Sequence, residues 1–212
     1  MDLVEIKDEC RRNLNRYTRR AFSLIPEIDR PVILDAGCGT GVPSMAIIEL
    51  CDGTIHAVDP DLSAINRFKE KIAAAGLNDR ITLYHDSILN PSLFDFKCDI
   101  VLAEGLLNVI GFERGMRALI RHLGHGGYLI LHDEFRDDVN KRSFFKKNRL
   151  NLVHFFELNE DVWIQEYFNC LKSGIIASED KDMAEIEMKS VNENLNDPKN
   201  LRSIYYILRS EA

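Results

Sequence analysis

The stretch from Pro31 to Gly41 constrains this chain more than any other. The apolar run Val32-Ile33-Leu34 ends in Asp35-Ala36-Gly37-Cys38-Gly39-Thr40-Gly41, and helical spacing of apolar residues follows from Met45 to Leu50. A short apolar run, then glycines, then a helix reads as a buried strand turning tightly into a crossover helix. Alternate glycines permit left-handed backbone and let a ligand approach the main chain closely. In an open parallel sheet, the space beyond the carboxyl end of a strand is where ligands bind. The helix start adds N–H groups that lack intrahelical partners.

The alternation continues downstream. Thr54 to Pro60 reads as a second strand, followed by a helix with Leu62, Ile65, Phe68, Ile72 and Ala75 on one stripe and Gly76 as its stop. Ile81 to Asp86 and Asp99 to Glu104 read as third and fourth strands, a helix is expected near 113–123, and Tyr128 to His132 forms the fifth strand. Apolar strands separated by helices predict an α/β fold, a doubly wound and mostly parallel sheet with right-handed crossovers. The first 30 residues form a helical preface with Leu14, Tyr17, Ala21 and Leu24 on one face. After Asp133, residues 151–157 read as a sixth strand and 162–171 as a helix. Residues 180–200 read as a charged surface helix and loop, and 204–208 as the last strand. A C-terminal helical excursion therefore precedes the final strand.

Glycine spacing separates two ligand classes. A dinucleotide fingerprint needs a third glycine at position 42, which is Val42. The pattern here is Asp-x-Gly-x-Gly-x-Gly. It resembles the first motif of class I S-adenosylmethionine-dependent methyltransferases. That resemblance implies methyl transfer from S-adenosylmethionine to an acceptor by in-line displacement, releasing S-adenosylhomocysteine. It places Asp35, Gly37, Cys38, Gly39 and Gly41 along the methionine part of the cofactor. Asp59, with Pro60 beside it, ends the second strand where an acid accepts the ribose hydroxyls. Asp86, Ser87 and Ile88 would hold the adenine, and Glu104 and Gly105 would face the methionine end and the acceptor. The segment from Glu104-Gly105 through Asn108 to Gly111-Phe112-Glu113 and Gly115 resembles a small-molecule branch of that class, with the acceptor unassigned.

The same resemblance divides a single domain, 1–212, into a preface or lid (1–30), a cofactor core (31–135) and an acceptor-side, sheet-completing region (136–212). His132 and Glu134 are the candidate bases if the acceptor must lose a proton, and Tyr17, Asn108 and Trp163 are candidate acceptor contacts. No metal is expected. A non-catalytic S-adenosylmethionine-binding protein remains an alternative, and a nicotinamide-dependent oxidoreductase is disfavoured by Val42.

Composition bounds the partners. A net charge of −7 argues against nucleic acid as a partner. The basic run Arg11, Arg12, Arg16, Arg19 and Arg20 reads as a solvated helix face, or else as part of a lid carrying an anionic acceptor. Five scattered cysteines, Cys10, Cys38, Cys51, Cys98 and Cys170, suit reduced cytosolic thiols. The acidic, polar N-terminus is unlike a signal peptide, and no apolar run approaches the roughly 20 residues that span a bilayer. A cytoplasmic protein without membrane partners is expected, with a homodimer left open.

Overall fold

The computed structural model describes residues 1–178 and 181–211. Two helices, α1 (Leu3–Arg12) and α2 (Asn15–Ser23), precede the sheet. The preface is thus broken at Asn13–Leu14 rather than continuous. Then come β1 (Val32–Ala36), α3 (Val42–Ile48), β2 (Thr54–Asp59), α4 (Leu62–Ala74), β3 (Ile81–His85) and β4 (Cys98–Glu104). The short α5 (Leu107–Ile110) and α6 (Phe112–His122) lead to β5 (Leu123–Glu134), which starts earlier than expected. Next are α7 (Asp138–Lys147), β6 (Leu150–Leu158), α8 (Glu160–Val162), a π-helical turn (Trp163–Phe168) and α9 (Asn169–Ile176). The chain closes with α10 (Lys181–Asn196), a 3-10 turn (Pro198–Leu201) and β7 (Ser203–Ser210). Of the expected 180–200 segment, residue 180 lies outside the described residues.

The strand order is β3-β2-β1-β4-β5-β7-β6, with β7 antiparallel to both its neighbours. The order reverses between β1 and β4, which makes the carboxyl end of β1 the topological switch point. Alternate residues of β1 supply opposite faces. Ile33 joins the core with Ile55, Phe68 and Ile130, while Leu34 joins the core with Val58, Met116 and Leu129. A third core lies off the sheet, where Leu3, Ile6 and Cys10 of α1 meet Phe168, Leu171, Ile175, Ala184, Val191 and Leu201. The first and last parts of the chain therefore build one cover.

Inside that cover Cys10 and Cys170 form a disulfide, with Cα atoms 5.5 Å apart and a sequence separation of 160. This corrects the expectation of five reduced thiols. Packing of α1 on α9 brings the pair together, and spacing along the chain carries no sign of it. Labelling the denatured, unreduced chain should therefore titrate the three remaining thiols, Cys38, Cys51 and Cys98. Five reactive thiols before reduction would contradict the pairing. No helix among the described residues is long and apolar enough to cross a membrane.

Candidate cofactor and acceptor site

The loop after β1 is held from below. The N–H groups of Gly37 and Cys38 donate to the Val58 carbonyl at 2.9 and 3.1 Å, and Gly41 N–H donates to the Cys38 carbonyl at 2.9 Å. Gly41 is left-handed (φ 79°), and a Cβ there would lie 2.2 Å from the Phe68 ring, so only glycine fits. Gly39 is also left-handed (φ 51°), but the place of its missing Cβ has no atom within 4 Å. The middle of the loop is therefore the part that opens onto free space.

Asp35 lies beneath this opening, 2% exposed, and accepts a hydrogen bond from the Ser44 hydroxyl at 2.5 Å. Burial raises its pKa from 3.8 to about 7, with Glu104 and Asp59 pushing the same way while Ser44 and Arg11 oppose. A raised native pKa means that the folded chain holds this proton more tightly. The stabilisation is full below about pH 4 and is lost as pH rises through about 7. Asp35→Asn keeps the neutral form at every pH. The stability of the wild type relative to Asp35→Asn should therefore fall by a few kcal/mol between those limits in denaturant titrations. A pH-independent difference would contradict this account. The same burial and the acids Asp35 and Asp59 raise the Cys38 thiol far above its ordinary range.

Asp59 ends β2. One of its carboxylate oxygens accepts the Gly39 N–H at 2.9 Å, and the other accepts the Asp61 N–H at 2.8 Å. The cap of α4 is Asp61, which accepts from Ser63 N–H at 2.8 Å and Ala64 N–H at 3.3 Å. Asp59 thus braces the open glycine, and each oxygen keeps a second lone-pair direction. Pro60 is exposed beside it, its carbonyl 3.0 Å from His85 Nε2. His85 is the register partner of Asp59, so Asp86 comes one residue further along the neighbouring strand end. Asp86 accepts from Ser87 N–H at 2.6 Å and from the Asn90 amide at 2.7 Å, with Ile88 buried behind.

Register places Glu104, His132, Tyr205 and Phe156 side by side on four adjacent strands. Glu104, its side chain 3% exposed, forms an ion pair with Arg11 of α1. It also accepts hydrogen bonds from the hydroxyls of Thr18 (2.9 Å) and Tyr205 (3.0 Å). Arg11 therefore departs from the expected solvated face. Asp8 of the same helix accepts from Thr40 of the glycine loop at 2.5 Å and pairs with Lys71 at 2.5 Å. The cover is thus tied to both sides of the loop.

Beside Glu104 and Gly105 is a cavity of about 260 Å³, lined also by Asn108, His132, Glu134 and Trp163, with Phe168 and Leu201 as apolar walls. His132 stacks on Tyr205 with ring centroids 4.1 Å apart, and the Trp163 ring is parallel to it at 5.8 Å. Burial and the Arg11 charge hold the His132 pKa well below its usual value. Tyr17 is not among the lining residues. Its hydroxyl donates to Glu166 at 2.9 Å, and it packs against the core. Arg11, Thr18, Ser203 and Tyr205 were not foreseen as site residues. Arg11 and Thr18 do fall at helical spacing from Leu14, on the stripe that faces inward. Among the described residues, no group of three His, Cys, Asp or Glu could hold a metal ion.

The open Gly39 cradle and the clustered acids Asp35, Asp59 and Glu104 fit a ligand with hydroxyls and positive charge. Residues 33–127 match a family model described as "Methyltransferase domain". The ribosomal protein L11 methyltransferase of Pelobacter propionicus is 32% identical over 108 residues, covering 50% of this chain and 33% of that protein. The chain spans about a quarter to a third of the length of such curated relatives. A Thiobacillus denitrificans S-adenosylmethionine-dependent methyltransferase, solved with S-adenosylhomocysteine, shares the fold. Its TM-score is 0.68 at 13% identity, over 92% of this chain and 90% of that one. The cyclase SpnF shares it too, at TM-score 0.80 and 14% identity, over 93% and 82% of the two chains. Residues 33–127 thus match a methyltransferase domain, and the chain shares its fold with a solved S-adenosylmethionine-dependent methyltransferase.

Proposed function

We propose that the chain transfers a methyl group from S-adenosylmethionine to a small-molecule acceptor by in-line displacement, releasing S-adenosylhomocysteine. The observation that carries this reading is the cavity of about 260 Å³ beside Glu104 and Gly105. Asn108 and His132 to Glu134 complete its core side, and the rest of its wall comes from outside the core, with Arg11 from α1, Trp163 and Phe168 from the π-helical turn and Asn200 to Ser203 before and into β7. That volume is near the lower end of ordinary ligand pockets. A net charge of −7 also disfavours nucleic acid as the acceptor.

Bound S-adenosylmethionine supplies a sulfonium methyl, an electrophile that needs no acid catalyst. Gly37, Gly39 and Asp35 would hold the methionine part, Asp59 and Pro60 the ribose, and Asp86, Ser87 and Ile88 the adenine. Asn108 and Trp163 would contact the acceptor. Positioning of the acceptor against the sulfonium methyl would then supply the rate. Incubation with methyl-labelled S-adenosylmethionine and a whole cell extract, followed by separation by size, tests this reading. Label is expected in the small-molecule fraction. Label in protein, as the ribosomal-protein relative would suggest, or in RNA would overturn the acceptor class. Binding of S-adenosylhomocysteine with no label anywhere would favour a non-catalytic cofactor-binding protein.

A further inference from the structure

We infer that the Cys10–Cys170 disulfide is a redox latch on a lid. Oxidised, it holds α1 across the cofactor site; opened by a dithiol reductant, it frees α1 and speeds exchange of cofactor and product. This inference rests on the cofactor site proposed above and adds its regulation. One turn of α1 bridges that site. Asp8 accepts from the Thr40 hydroxyl of the glycine loop at 2.5 Å, and Arg11 pairs with Glu104 at the end of β4. The proposed methionine site lies between those two points, so α1 lies over it in this form. Cys10 is on the same turn, between Asp8 and Arg11.

Cys170 fixes the latch to the other part of the cover. Just before it in the chain, Trp163 and Phe168 line the acceptor cavity. The disulfide therefore joins two cavity walls that both lie outside the core. The helices meet closely there, since a Cβ on Gly174 of α9 would lie 2.4 Å from Ile6 Cγ2. The remaining ties of α1 are reversible. Asp2 pairs with Arg67 at 2.7 Å, Lys7 with Glu187 at 2.7 Å and Asp8 with Lys71 at 2.5 Å, each pair with one side chain at least 30% exposed. Ion pairs so placed contribute little. Leu3 and Ile6 are the other α1 residues buried in the cover core. Among the described residues the disulfide is the one covalent tie between α1 and α9. The break at Asn13–Leu14, before α2, gives the lid its hinge.

The switching step is thiol–disulfide exchange. A thiolate of the reductant attacks the sulfur of Cys170, which is half-buried where Cys10 is buried. The sulfur–sulfur bond breaks, Cys10 leaves as a thiolate and takes a proton, and the second reductant thiol displaces Cys170 from the mixed disulfide. The cysteines gain two electrons and two protons, and the dithiol closes into its own disulfide.

Hydrogen exchange and ligand release, measured on the full chain before and after dithiothreitol, test the latch. Reduction should lower protection of the α1 amides by at least about tenfold more than that of β1 and β4, because the lid opens locally. Release of bound S-adenosylhomocysteine into excess S-adenosylmethionine should quicken by at least about tenfold, since opening α1 limits it. The double variant Cys10→Ser, Cys170→Ser should show both changes without reductant and no further change with it. A disulfide that only staples the fold acts through the unfolded chain, so its reduction would lower protection equally in α1 and the strands and leave release within about twofold. Either of those results overturns the inference. The wild-type comparison decides even if the double variant does not fold. A chain that binds no S-adenosylhomocysteine would fail the proposed function instead, and exchange in α1 then decides the latch.

Discussion

Asp59→Ala is expected to weaken binding of S-adenosylhomocysteine by about two to four orders of magnitude. The proposed role gives this carboxylate two hydrogen bonds to ribose hydroxyls, each worth roughly 1.5–3 kcal/mol when the acceptor is charged. Their joint loss is about 3–6 kcal/mol, and about 1.4 kcal/mol is tenfold in affinity. The structure adds a second reason, because the same carboxylate accepts the N–H of Gly39, the glycine that opens onto free space. Losing Asp59 frees that glycine as well as the ribose. Asp59→Asn keeps one acceptor oxygen but turns an amide donor toward a backbone N–H, so it should fall between. Calorimetric titration of folded variants is the check. A loss below about threefold for Asp59→Ala would remove the residue from the cofactor site.

Glu104→Leu is expected to destabilise the fold by about 3–5 kcal/mol, because it leaves the Arg11 guanidinium without its counter-charge. Glu104 is 3% exposed and Arg11 21%, so solvent cannot replace the lost partner. Thr18 and Tyr205 lose their acceptor in the same change. The double variant Arg11→Met, Glu104→Leu removes both charges and should recover much of the loss. Urea denaturation of the two single variants and the double variant measures the coupling. A cost below about 1 kcal/mol for Glu104→Leu, as for an exposed ion pair, would mean that the preface is not anchored here.

The parallel part of the fold was legible because β1, β4 and the second half of β5 carry apolar runs buried on both faces, each ending in a turn or an acid. The glycine loop and the acids Asp35, Asp59 and Asp86 were legible for the same reason. Strand ends fix where such residues fall, whatever the rest of the chain does. The cover was not legible. Arg11 stands in a run of arginines that reads as a wet helix face, and its partner Glu104 is 93 residues away. Cys10 and Cys170 are further apart still. Such pairings depend on how α1 docks against α9 and the sheet, which local patterning does not encode. The low pKa of His132 depends likewise on burial and on the charge of Arg11, which reaches it from α1. Its place at the end of β5 was readable, but the cation beside it was not.

The central claim is that the open glycine loop, braced by Asp59, is an S-adenosylmethionine site. Calorimetric titration of the purified chain with S-adenosylhomocysteine and, separately, with NADH tests it most directly. The account predicts one S-adenosylhomocysteine site per chain, of micromolar affinity or tighter, and no response to NADH. Binding of NADH with no heat from S-adenosylhomocysteine would contradict it.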